Sequence, residues 1–214
     1  MLASGGLDSS VMLAELARQG RRVFPLYVRA GLRWERAELA ALRRFIAALA
    51  NPRIENLAVL ELPMTDIARG HWSVTGRGVP GYCAKVESNY IVGRNLSLLV
   101  KAAIFCALNR IGEIAIAPLE SNPFPDARPQ FFRALERAAA LGTGLPLKIR
   151  TPFAALSKAQ VIRRGRGLPL ERTLTCANPS GATHCGRCTK CAERAQGFAQ
   201  ARIPDPTRYA RRRS

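Results

Sequence analysis

Met1-Leu2-Ala3-Ser4-Gly5-Gly6-Leu7-Asp8-Ser9-Ser10 is the stretch on which the reading of this 214-residue chain turns. A short apolar lead runs into a glycine turn. A helical run from Ser10 to Gln19 follows, and Gly20 stops it, as a glycine just past a helix end commonly does. A glycine-containing turn at the amino end of a helix is an anion site. Backbone N–H groups and the helix dipole face the ligand, and Gly5 and Gly6 let the backbone approach it. Ser4, Ser9 and Ser10 add hydroxyl donors. Asp8 is the odd member, because a carboxylate repels phosphate. It fits if it orients the loop or holds a magnesium ion that bridges phosphates. The simpler alternative is a capping turn with Asp8 or Ser9 as N-cap.

Outward from this turn the chain alternates. Val23 to Val28 and Leu57 to Leu62 read as buried strands, Glu113 to Ala117 as a third and Leu147 to Arg150 as a short fourth. Helices are expected over Arg33 to Leu49, Leu96 to Ile111, Pro129 to Leu141, Ser157 to Arg164 with Ser157 as N-cap, and Ala192 to Ala201. Residues 63 to 90 are polar and rich in glycine, which predicts a loop or lid on the substrate side. Alternating strands and helices predict an α/β fold with a doubly wound parallel sheet. Ligands of such sheets sit at the carboxyl ends of the strands, where the Gly5-Gly6 turn would lie. The lead Met1-Leu2-Ala3 is short beside a usual strand of about five to six residues. It predicts a shortened central strand or a start further upstream.

The formal net charge is +18, from 33 Lys plus Arg against 15 Asp plus Glu, and only five of the cations are lysine. Such a surplus suits anionic partners, whether nucleotides, small acids or nucleic acid. Aromatic residues are not interleaved with the basic ones, so no stacking platform for single strands is written in the sequence. One basic cluster stands at Arg211-Arg212-Arg213. No apolar run is long enough to cross a membrane. The start shows no basic segment followed by an apolar stretch, and a cytoplasmic protein is expected.

Cys176, Cys185, Cys188 and Cys191 form C-x8-C-x2-C-x2-C. Where no secretory signal is read, such crowding favours a metal over disulfides. Four thiolates suit a closed, tetrahedral structural zinc. An iron–sulfur cluster accepts the same ligands, and His184 could replace Cys185. The chain divides accordingly into residues 1–175, a nucleotide-binding α/β domain, and residues 176–214, a zinc-binding segment packed on it. Cys106, in an apolar helix, reads as a core residue. Cys83 reads as an exposed loop thiol.

The Ser4–Ser9 motif is not the common P-loop, because Leu7-Asp8 stands where that motif has lysine and Ser/Thr. S-G-G-x-D-S resembles the PP-motif of the ATP pyrophosphatases, which grip the pyrophosphate of ATP and transfer AMP to a carboxylate or similar oxygen. Further segments narrow the resemblance. Tyr90-Ile91-Val92-Gly93-Arg94-Asn95 resembles Y-V-P-G-R-N, and Pro125 to Phe131 resembles P-D-C-R-P-E-F. Thr151-Pro152 with Leu156 to Ala159 resembles T-P-L…L-S-K-A-E. The cysteine spacing and Pro204 to Tyr209 agree as well. Together these resemble the 7-cyano-7-deazaguanine synthase family of the PP-loop ATP pyrophosphatases.

That resemblance implies a Rossmann-like fold of the adenine nucleotide alpha-hydrolase type. It implies an ATP-dependent ligase that turns 7-carboxy-7-deazaguanine and ammonia into the nitrile through carboxylate adenylation, with magnesium beside ATP, a structural zinc and a homodimer. Carried over by position, Ser4, Gly5, Gly6, Leu7, Asp8, Ser9 and Ser10 would bind ATP. Asp8, Ser9, Arg94 and Lys158 would serve catalysis, while Arg94, Asn95, Asp126 and Arg128 would meet the deazapurine. Cys176, Cys185, Cys188 and Cys191 would hold zinc. The chain departs from the family where the acceptor or adenine should lie. Arg29-Ala30-Gly31-Leu32-Arg33-Trp34 stands for D-Y-G-Q-x-H, Ala117-Pro118-Leu119 for G-V-N, and Ser121 to Asp126 for Y-S-G-Y-P-D. A paralogue adenylating a tRNA base or another carboxylate, and a non-catalytic nucleotide-binding zinc protein, are the competing readings.

Overall fold

The computed structural model describes residues 1–210, so the Arg211–Arg213 cluster lies outside the described residues. In chain order the elements are α1 (Leu7–Arg18), β1 (Leu26–Arg29), α2 (Glu35–Leu49), β2 (Ala58–Glu61), α3 (Trp72–Thr75), α4 (Arg94–Leu108), β3 (Glu113–Ala115), α5 (Pro129–Thr143), β4 (Lys148–Arg150), α6 (Lys158–Arg164) and α7 (Thr189–Ala201). β1 pairs with β2 and β3 with β4, all parallel. The lead segment joins the two pairs. Leu2 bridges Leu26 in parallel, the Ala3 amide donates to the Leu26 carbonyl and the Leu2 amide to the Ala115 carbonyl. Met1–Ala3 thus lies at the centre of a sheet ordered β2, β1, Met1–Ala3, β3, β4. Succession runs outward one way through β1 and β2, then the other way through β3 and β4. The order reverses beside the lead segment, which is where a crevice opens in such a sheet.

Period-two alternation along the strands feeds cores on both faces. Leu2, Leu26, Val28, Ile114 and Ile149 pack with Leu99, Ala103 and Cys106 of α4 and Phe132 and Leu135 of α5. Ala3 and Tyr27 point the other way, onto Leu42 of α2. On that side Leu7 and Val11 of α1 meet Val161 and Ile162 of α6 and Phe198 of α7. The sheet is thus doubly wound, as the alternation predicts. β2 was expected to be buried. It pairs only with β1, and its residues are half-buried to exposed.

Three helices begin earlier than the sequence suggests, α4 among them, at Arg94 and not Leu96. α1 starts at Leu7, with Gly6 as N-cap and no side-chain cap, so neither Asp8 nor Ser9 caps it. α7 starts at Thr189 and carries Cys191 in its first turn. Ser157 does cap α6, in a capping box with Gln160. The span 63–90 is largely irregular, with α3 and one 3-10 turn at Val86–Asn89.

Candidate active site

A cleft of about 270 Å³ opens where the order reverses, at the carboxyl ends of the lead segment, β1 and β3. Its floor is the turn after Ala3. Gly5 adopts φ +75°, and a side chain there would run into the Glu38 carbonyl and Leu42. Only glycine meets both demands. The turn is closed by its own serines. The Ser4 and Ser9 hydroxyls lie 3.0 Å apart, the Ser4 amide donates to Ser9 Oγ, and the Gly6 amide donates to Ser4 Oγ. Two outside contacts brace it. The Leu7 amide donates to Thr175 Oγ1 at 3.2 Å, and the Leu174 amide to the Gly5 carbonyl at 2.9 Å. The Gly5, Asp8 and Ser9 amides make no hydrogen bond among the described residues. Free amides at a helix start, with the dipole behind them, form an anion cradle.

Asp8 stands beside this cradle and is tied to α6 and α7. Lys158 Nζ reaches Asp8 Oδ2 at 2.6 Å and Glu193 Oε1 at 3.0 Å, while Lys190 Nζ pairs with Glu193 Oε2 at 3.0 Å. Lys158 is buried, so it is not the exposed first-turn lysine its position in α6 could have made it. Burial by itself would lower its pKa, but Asp8 and Glu193 outweigh burial and the net shift is upward. Burial likewise works to raise Glu193, yet Lys158 and Lys190 bring it down to about 2. Lys158 and Glu193 therefore stay ionised at neutral pH. Asp8 Oδ1 is buried without a partner. An orphaned carboxylate oxygen is a ready ligand for a hard cation.

The opposite wall comes from distant segments. Trp34 stacks on Trp72 with centroids 5.7 Å apart, and both line the cleft with Leu32, Ile91, Arg94 and Ala177. Glu35 accepts the Ala30 and Gly31 amides, at 2.6 and 3.1 Å, which fixes the turn leaving β1. Glu38 accepts from the Tyr27 hydroxyl at 2.9 Å. Glu38 is raised to about 7: burial is the largest cause and Glu35 adds to it, while Arg94 and the Tyr27 hydrogen bond work against them. Arg94 Nε is buried without a partner.

The four cysteine sulfurs all lie within 4.8 Å of one another and all four residues are buried. The Cys185 amide donates to Cys176 Sγ and the Arg187 amide to Cys185 Sγ. That donor set and spacing fit one tetrahedral metal. His184 is not a fifth candidate. Its Nε2 accepts the Thr175 amide at 2.9 Å, and burial, reinforced by Arg194, lowers its pKa to about 3, so it stays neutral. Arg194, buried, donates to Thr207, Thr173 and the Leu170 carbonyl. Through Thr175 the cysteine segment and the anion cradle share one scaffold.

The residues singled out in the sequence divide into two groups. Ser4, Gly6, Leu7, Asp8, Ser9, Arg94, Asn95 and Lys158 line the cleft. Gly5 shapes the turn without lining it. Ser10 is fully buried, with its hydroxyl facing the interior. Asp126 is buried against α4: its Oδ2 accepts the Asn95 amide at 2.9 Å, and Asn95 Nδ2 donates to its carbonyl at 3.1 Å. Arg128 is exposed and donates to the Pro123 carbonyl. The sequence reading missed Tyr27, Glu35, Glu38, Trp72, Thr175, Lys190 and Glu193. Glu35 and Glu38, one helical turn apart at the head of an amphipathic helix, carried the one usable signal: acids on the buried face of a helix.

Comparison with known proteins gives the family. The family model described as "Queuosine biosynthesis protein QueC" matches residues 1–202. The chain belongs to the QueC family. Three relatives named 7-cyano-7-deazaguanine synthase span nearly the whole chain. The one from Anaeromyxobacter dehalogenans (strain 2CP-C) is 35% identical over 99% of this chain and 95% of its own. The one from Thiobacillus denitrificans is 35% identical over 99% and 97%. That from Methanothrix thermoacetophila is 32% identical over 97% and 96%. The QueC match covers both the cradle and the four cysteines, so the two belong to one family architecture.

Proposed function

We propose that this QueC-family chain is an ATP-dependent C–N ligase that makes 7-cyano-7-deazaguanine from 7-carboxy-7-deazaguanine and ammonia. The observation that carries the reading is the free-amide cradle of Gly5, Asp8 and Ser9 opening into a cleft whose far wall holds the Trp34–Trp72 stack and Arg94. A carboxylate is a poor electrophile, and an AMP ester gives it a leaving group. The cradle binds the pyrophosphate that departs, since its dipoles are already aimed at the developing charge. Lys158 holds Asp8 in place from beneath. Arg94, with an unpaired Nε, receives an anionic oxygen of the acceptor or the adenylate. The tryptophans offer an apolar slot for a planar heterocycle.

Magnesium, when bound with ATP, neutralises phosphate charge, and Asp8 is the residue that would hold it. Zinc is the metal proposed for Cys176, Cys185, Cys188 and Cys191, where it would cross-link the segment that braces the cradle. The deciding experiment supplies purified protein with ATP, magnesium, ammonium and 7-carboxy-7-deazaguanine, and follows nitrile and pyrophosphate. Wild type should form both. Asp8→Ala should lose roughly 10²–10³-fold in rate, the scale of removing one transition-state contact. A folded, metal-loaded protein that binds ATP yet makes no nitrile would sink the reading.

A homodimer is part of the same proposal. The solvent side of α4 is an apolar ridge of Leu96, Val100, Ile104 and Leu108, each 42–81% exposed. Ridges at four-residue spacing interdigitate with a two-fold copy of themselves. Light scattering should give twice the chain mass for wild type and the single-chain mass for Ile104→Glu.

A further inference from the structure

The acceptor wall holds an acid that the steps above leave idle. Glu38 lines the cleft from α2 and is 9% exposed. The other cleft carboxylates are committed: Asp8 and Glu193 to lysines, Glu35 to two backbone amides. Among the described residues the Glu38 carboxylate has one hydrogen-bond partner, the Tyr27 hydroxyl, which also donates to the Glu35 carbonyl at 3.4 Å. The groups that face it are Tyr27 from β1, Glu35 from its own helix and Arg94 from α4. It is thus a carboxylate in the reaction space with no cation or amide in contact.

The reaction needs such a group. Ammonium must shed a proton before its nitrogen can attack, and the nitrogen must shed another when the C–N bond forms. We propose that Glu38 is the proton acceptor for the nitrogen nucleophile, with Tyr27 as the residue that positions it. This rests on the reading that the chain aminates an acyl-adenylate. In the step, the nitrogen lone pair of ammonia attacks the acyl carbon. The bond from that carbon to the AMP oxygen breaks, and AMP leaves with the electron pair. One nitrogen proton passes to a Glu38 carboxylate oxygen, which returns it to solvent through the cleft. The amide, AMP and a proton are the products, so atoms and charge balance. A base of this kind works best when poised near the operating pH. Burial places Glu38 at about 7. The carboxylate form is the active one, so rate is present above that value and lost as pH falls through it.

Two rates separate this step from adenylation. Exchange of labelled pyrophosphate into ATP, with 7-carboxy-7-deazaguanine and without ammonia, reports adenylation alone. Amide plus nitrile production with ammonium reports the nitrogen step. In Glu38→Gln, exchange should stay within about threefold of wild type while product formation falls roughly 10²-fold or more, the usual scale for a general base. At a fixed concentration of free ammonia, wild-type product formation should drop about tenfold per pH unit on the acid side, and Glu38→Gln should lack that limb. Glu38→Asp should recover part of the rate. Tyr27→Phe should move the limb without abolishing product. Glu38→Gln turning over at the wild-type rate, keeping the acid limb, or losing exchange as severely as product would overturn the proposal. Absence of exchange in wild type would instead defeat the parent reading, and this proposal with it.

Discussion

The two walls of the cleft are built by different means. The wall proposed to hold phosphate is one run of six residues, Ser4 to Ser9, whose chemistry lies mostly in backbone amides and glycine conformations. The wall proposed for the acceptor is gathered from β1, α2, the segment around Trp72, the turn before α4 and the residues near Cys176. Backbone chemistry tolerates almost no substitution, because the turn itself is the binding group. Side-chain walls can be rebuilt one residue at a time while the cleft persists. This accounts for where the chain departs from its family pattern. Arg29, in place of an acid, turns outward to pair with Glu61 at 3.0 Å. Trp34, in place of the family's histidine, is buried in a stack with Trp72.

Removing the metal proposed for the four cysteines should break the comparison most severely. Leu174 and Thr175, which clamp Gly5 and Leu7, sit directly before Cys176. If the cysteine cluster holds that strap, the phosphate wall depends on it and the acceptor wall largely does not. Stripping the metal with a chelator, or making Cys188→Ser, should lower Tm by about 10 °C or more, given that 1 kcal/mol shifts a domain of this size by roughly 2–4 °C. In whatever remains folded, affinity for ATP should fall further than affinity for the deazapurine. Titration calorimetry on both ligands reads this directly. Equal losses on the two ligands would mean that the cluster supports the fold and not the cradle.

Trp34→Ala probes the other wall. Losing one aromatic stacking partner costs roughly 1–3 kcal/mol per base, so the Michaelis constant for the deazapurine should rise about tenfold to a hundredfold. That for ATP should stay within about twofold. A matching rise for ATP would place the adenine, and not the deazapurine, on the Trp34–Trp72 stack. The walls would then have to be reassigned.

The same contrast governs what the sequence disclosed. Sheet and helix succession was legible because the strands alternate faces and the helices repeat at their own period, both local signals. The cradle was legible because its residues are neighbours, and the cysteines because their spacing is stereotyped. The partnership of Asp8 with Lys158 and Glu193 was not, since it joins residues 150 and 185 positions apart and exists only once α6 and α7 pack. Glu38 was hidden for a related reason. In the sequence it is an acid in the first turns of a helix, a place where acids are usual for their effect on the dipole. Only the docking of α2 on Tyr27 reveals it as a buried cleft group. Ser10 shows the opposite error. It shares the run with Ser4 and Ser9, which line the cleft, but the helical turn carries its hydroxyl into the core.

Asp126 gives the smallest effect and the finest test. Position in the family motif assigns it to the deazapurine, while its contacts assign it to α4. Its carboxylate accepts the Asn95 amide at the start of that helix, and the helix dipole favours a negative charge there. On that account Asp126→Ala removes a cap supplied from outside the helix, costing about 1 kcal/mol, within the range for lost N-caps. Urea unfolding should show this as a lower midpoint at unchanged slope. Arg128→Ala, on an exposed side chain whose one hydrogen bond among the described residues is to the Pro123 carbonyl, should change stability by less than about 0.5 kcal/mol. Because Asn95 is held next to Arg94, freeing the helix start should also weaken deazapurine binding, but only by a few-fold. A much larger loss of deazapurine affinity with stability unchanged would return Asp126 to the substrate and show that the cleft closes further around its ligand than the free protein does.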